Sequence, residues 1–139
     1  MATAVQISQM DFENFVRPLG FNQIIVDRTR EFVYAKQVEH NGKTLQLRIF
    51  SSIDGGISRS KGSDAIRVCL FFLAKNNQYK IVGSDRRVHR VAGWRNNLAE
   101  RLSNWREQMG PNCPLCGSPT VLREPKKGQH WKPFHGCVE

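Results

Sequence analysis

Residues 31–52 read EFVYAKQVEH NGKTLQLRIF SS, from Glu31 to Ser52, and they decide the fold. In the second half Leu45, Leu47 and Ile49 point one way while Gln46 and Arg48 point the other, the two-residue alternation of a strand with one buried face. The first half, residues 31–38, is rich in Phe, Val and Tyr, which suit a pleated surface. Between the halves stands Asn41-Gly42. A two-residue type I′ turn needs positive φ at both central positions, and Asn and Gly adopt it at least cost, so the stretch predicts a β-hairpin.

Upstream of the hairpin, Asp11-Phe12-Glu13-Asn14-Phe15-Val16 reads as a short helix capped by Ser8 or Asp11, stopped by Pro18 and Gly20 and placed to cover a sheet. Downstream, residues 54–62 form a glycine-rich loop carrying Arg59 and Lys61, able to close over a ligand. Residues 65–74 are apolar on both faces over much of their length, which predicts a third strand inside the sheet. Cys69 lies in its run Val68-Cys69-Leu70-Phe71 and reads as a small buried hydrophobe. Asn76-Asn77 turns the chain into a short fourth strand over residues 79–82. After the basic run Arg86-Arg87-Val88-His89-Arg90, residues 93–109 place Trp94, Leu98, Leu102, Trp105 and Met109 on one helical stripe. The expected architecture for residues 1–109 is therefore α+β, a four-stranded antiparallel sheet flanked by an N-terminal and a C-terminal helix.

Composition changes at Gly110-Pro111-Asn112, so residues 110–139 form a second unit holding three of the four cysteines. It opens with Cys113-Pro114-Leu115-Cys116-Gly117. Two thiolates three residues apart on a tight turn reach one zinc ion at about 2.3 Å each. Two short strands joined by a Lys126-Lys127-Gly128 turn would return Cys137 beside them, the layout of a zinc ribbon. A segment this small has too little apolar area to order itself without such a staple.

Residues 113–137, CPLCGSPTVLREPKKGQHWKPFHGC, resemble the C-terminal zinc ribbon of type IA DNA topoisomerases. The match comprises the CPxCG opening, the strand Val121-Leu122-Arg123, the Lys/Gly turn and the closing Phe134 to Cys137. Those modules bind single-stranded DNA, and the resemblance implies the same here. It covers only the ribbon, and the rest of the chain is too short for a topoisomerase catalytic domain. The family's fourth cysteine has no counterpart by Glu139. Three readings stay open: a longer natural chain, ligation by His135 or His130, or a degraded site. His135 and Cys137 are two residues apart on an extended segment and share a face, so His135 is the provisional fourth ligand.

The chain has 139 residues, with 21 Lys and Arg against 12 Asp and Glu, a net charge of +9 and a pI near 9.9. That length suits one ordinary domain, or a small domain with a metal-stapled module. The longest apolar run, residues 68–74, falls far short of the roughly 20 residues that span a bilayer. MATAVQISQM lacks the pattern of a secretory signal. The expected location is the cytosol, nucleoid-associated in a bacterium, where thiols stay reduced and serve as ligands or core residues.

Such a charge surplus favours a polyanion, because each phosphate neutralised releases condensed counterions. In the ribbon, Arg123, Lys126, Lys127 and Lys132 interleave with Trp131 and Phe134, a pattern in which cations follow a backbone and rings stack on bases. In the upstream domain, Arg86, Arg87, Arg90 and Arg95 gather where the last strand meets the last helix. With Arg59 and Lys61 they predict a basic groove, since a guanidinium fork binds two phosphate oxygens at once. The sequence thus points to a non-enzymatic nucleic-acid-binding protein carrying Zn²⁺, with DNA favoured over RNA, single strands included, and no membrane partner. One rival is a metal-dependent nuclease or DNA-processing enzyme using Asp54 and Asp64. The other is an adaptor whose ribbon docks a protein of a replication, repair or transcription complex.

Overall fold

The computed structural model describes residue 5 and residues 7–24, 31–52 and 65–137. The chain runs through α1 (Gln9–Val16), β1 (Asn22–Ile24), β2 (Glu31–His40), β3 (Lys43–Ser52), β4 (Ala65–Leu73), β5 (Tyr79–His89), α2 (Trp94–Ser103), β6 (Thr120–Arg123) and β7 (Phe134–Cys137). Short 3-10 turns occupy Arg17–Leu19 and Trp105–Gln108. Strands β1 to β5 form one antiparallel meander in chain order, and β6 pairs with β7 in a separate two-stranded sheet.

The hairpin forms as its sequence dictates. Asn41 and Gly42 have φ of 50° and 78°, and β2 pairs with β3 along its full length, from His40 opposite Lys43 to Glu31 opposite Ser52. Ser8 caps α1, its Oγ accepting from the Asp11 N–H at 3.1 Å.

Three expectations need correction. The sheet has five strands rather than four, because residues 22–24 pair with residues 33–35 as an edge strand too short to show a period. Strand β5 does not stop at Val82 but continues to His89. It does so through an irregularity: Leu70 faces Val82 while Val68 faces Arg86, so two steps of β4 match four of β5. Gly83, at φ 73°, absorbs the excess in a conformation that side chains rarely adopt. Finally, α2 ends at Ser103 instead of running to Met109. The Ser103 hydroxyl donates back to the Ala99 carbonyl at 2.9 Å, and Met109 is extended and bridges to Val121.

Both helices pack on one face of the sheet. Phe12 and Val16 of α1 and Trp94, Leu98 and Leu102 of α2 meet Tyr34, Leu45, Leu47, Ile49, Ile66, Val68, Leu70, Val82 and Val88. Each large apolar side chain so buried contributes about 1.5–3 kcal/mol. Phe12 stacks on Trp94 with centroids 5.9 Å apart and planes 18° apart. Tyr34, fully buried, donates to Glu13 Oε1 at 2.9 Å; burial and then this acceptor push its phenol up to about 12. On the opposite face a smaller cluster of Val33, Phe50 and Cys69, with Ile24 and Phe71 against it, fills the strand surface.

The ribbon is seated on the larger domain rather than tethered to it. Val121, 1% exposed, belongs to the same core as the helices and the sheet. Backbone and side-chain bonds fix the junction: Gly110 N–H to the Thr120 carbonyl at 3.1 Å, His40 Nε2 to the Gly110 carbonyl at 2.9 Å, and Asn112 Nδ2 to the Asn41 carbonyl at 3.0 Å. A Cβ at Gly83 would run into the Gln108 amide and lie 3.1 Å from Val121 Cγ2, so that glycine also admits the ribbon.

Candidate metal centre and basic surfaces

The CPLCG segment folds into a tight knuckle. Gly117 N–H returns to the Cys113 carbonyl at 2.8 Å, Cys113 N–H donates to the Ser118 carbonyl at 2.7 Å, and Gly117 sits at φ 74°. The second half of the ribbon turns at Lys126–Gln129, where Gln129 N–H bonds the Lys126 carbonyl at 2.9 Å and Gly128 has φ 91°. Positive φ at the third residue is what a type II turn demands. Strand β7 then pairs Cys137 with Thr120 and brings its thiol to the knuckle.

The sulfurs of Cys113, Cys116 and Cys137 lie within 4.8 Å of one another, with Cys116 Sγ 3.4 Å from Cys137 Sγ. Four ligands at about 2.3 Å in a tetrahedron set sulfurs about 3.8 Å apart. The three thiols are therefore placed to hold one metal ion with small adjustments. The Ser118 hydroxyl and backbone, then Cys137, hydrogen-bond to Cys116 and bring its thiol down to about 7, toward the thiolate that a metal needs. His135 does not join them. It shares the face of Cys137, yet its ring lies against Gly110 beside the Thr120 hydroxyl, so close that no Cβ fits at position 110.

The other ribbon residues surround an exposed aromatic pair. Trp131 and Phe134 are 41% and 53% exposed, with centroids 5.5 Å apart and planes at 57°. Trp131 Nε1 donates to Gln129 Oε1 at 3.2 Å, tying its ring to the lysine turn. The Arg123 side chain lies across Gly136, opposite Phe134 in the strand register, and Lys126, Lys127 and Lys132 are exposed.

Among the described residues, Arg86, Arg87, Arg90 and Arg95 do not share one surface. Arg86 and Arg87 are neighbours on a strand, so they point to opposite faces. Arg86 lies on the helix side and pairs with Glu107 at 3.4 Å; Arg87 lies on the other face, opposite Arg67. Arg95 sits on α2 with its guanidinium 4.6 Å from the Trp94 ring centroid. Arg90, expected to contact phosphate, is 1% exposed and donates to Ser51 Oγ at 2.5 Å, a structural role. Arg59 and Lys61, with Asp54 and Asp64 of the nuclease reading, lie outside the described residues.

Two cations not singled out as candidates, Arg48 and Arg67, occupy the helix-free face of the sheet. Their signal was the alternation of β3 and β4, which sends Arg48 opposite to Leu47 and Ile49, and Arg67 opposite to Ile66 and Val68. Among the described residues no helix is long and apolar enough to cross a membrane. Comparison with protein-family models, curated proteins and solved structures finds no match.

Proposed function

We propose that this protein binds unpaired nucleic acid, DNA above all, without catalysing a reaction on it, and that zinc held by Cys113, Cys116 and Cys137 staples the ribbon that makes the contact. Soft thiolates in a CxxC knuckle closed by a hairpin cysteine favour zinc over the oxygen-seeking Mg²⁺ or Ca²⁺. The observation that carries the reading is the exposed Trp131–Phe134 pair, set with Arg123, Lys126, Lys127 and Lys132 at the turn end of the hairpin whose other end carries Cys137. Rings left at this exposure stack on bases, while the cations meet phosphate.

The test is a titration of labelled single- and double-stranded DNA at several salt concentrations. Trp131→Ala is expected to weaken single-strand binding by about 1–3 kcal/mol and to leave the salt dependence nearly unchanged, because a stacked base releases no counterion. Single-strand affinity equal to that of the parent protein would contradict the reading.

A further inference from the structure

The three thiols of the ribbon are unequal. Cys116 is exposed, Cys113 and Cys137 are half-buried, and Cys116 Sγ meets Cys137 Sγ at 3.4 Å. These two sulfurs come from opposite halves of the ribbon: Cys116 lies in the knuckle, and Cys137 is the last residue of β7. Cys113 shares the knuckle with Cys116, where its N–H and carbonyl are already engaged by Ser118 and Gly117. A bond between Cys113 and Cys116 would join two points of one turn. A bond between Cys116 and Cys137 would join the knuckle to the hairpin, the same two pieces that a metal ion on the three sulfurs would join.

We propose that Cys116 is a redox modification site, at which a hydroperoxide converts Cys116 and Cys137 into a disulfide that staples the ribbon in place of the metal. The inference goes beyond the nucleic-acid reading and stands on the geometry of the thiols. In the first step the Cys116 thiolate attacks a peroxide oxygen: the S–O bond forms, the O–O bond breaks, and the far oxygen leaves with the electron pair as hydroxide. The Cys137 thiolate then attacks the Cys116 sulfur, so that the S–S bond forms, the S–O bond breaks and a second hydroxide leaves. Each hydroxide takes up the proton that one thiol released, so two thiols lose two electrons and hydrogen peroxide becomes two waters. Cys113, left alone, is too few ligands to keep the ion, so disulfide and metal exclude each other. Cys69, 3% exposed within β4, is shielded from the oxidant. The new bond closes the chain across β6, the lysine turn and β7, and such a cross-link stabilises by restricting the unfolded chain.

The full chain, stripped of metal and kept with chelator, is treated with hydrogen peroxide and compared with the same chain held in a phosphine reductant, the condition in which zinc removal is also judged. The oxidised chain is expected to melt roughly 10 °C above the reduced one, and added reductant to abolish the rise. Arg123, Lys126 and Lys127 stand between the two cysteines, so tryptic mapping reads the cross-link directly. Cys113→Ser is expected to form the same bond, because Cys113 is not consumed. A Cys113–Cys116 bond, a cross-link between chains, or a Cys116–Cys137 bond without a rise in the midpoint would overturn the proposal. A purified chain without zinc that still forms the bond and gains the rise supports the proposal and overturns only the zinc reading.

Discussion

Removing zinc with a chelator is expected to lower the melting temperature of the whole chain by roughly 10 °C, not merely to unravel the ribbon. Under the proposed zinc staple, metal binding supplies the folding free energy of a segment too small to have its own core. The seating of the ribbon carries the loss further. Val121 is 1% exposed within the core shared by the helices and the sheet, and Met109 bridges to it. Losing the ribbon returns Val121 to water and uncovers the apolar surface beneath it, a cost of about 3 kcal/mol, and each kcal/mol moves the midpoint of a domain this size by a few degrees. Calorimetry with and without chelator reads the effect, and restored zinc is expected to reverse it. An unchanged melting curve would mean that the three cysteines do not staple the ribbon through a metal.

The second large effect is expected at Arg90. Replacing it with Ala removes a side chain that is 1% exposed, deletes the bond to Ser51 Oγ and leaves a cavity in the interior. A loss of about 3 kcal/mol or more follows from the cavity and the stranded hydroxyl together. Arg87→Ala, three residues away and exposed, is expected to cost under about 0.5 kcal/mol of stability. Chemical denaturation of the two variants separates them. Equal stability would mean that Arg90 is no more structural than its exposed neighbour.

That contrast also shows what the sequence could and could not reveal. Alternation in residues 43–52 and the Asn41-Gly42 pair each have one good physical solution, and both are realised. The knuckle of Cys113 and Cys116 and the return of Cys137 were equally legible, since cysteine spacing and a Lys/Gly turn constrain the chain locally. The basic run was not. Reading residues 86–90 as a connection hid the alternation that sends Arg86 and Arg87 to opposite faces, and the cause was Gly83. A glycine inside a strand pattern looks like its end, whereas here it lets the strand slip and continue. The place of His135 was out of reach for a different reason. Sharing a face with Cys137 is a property of the strand, but which neighbour its ring touches depends on Gly110, a long-range contact across the ribbon junction.

The central claim is that a metal-stapled ribbon binds unpaired nucleic acid, and anisotropy titration of a labelled oligothymidylate with the zinc-loaded and the zinc-stripped chain tests it most directly. Stripping zinc is expected to weaken binding at least ten-fold, because Trp131 and Phe134 lose the strand and turn that hold them, and stoichiometric zinc is expected to restore it. Equal affinity of the two forms at matched salt would contradict the account.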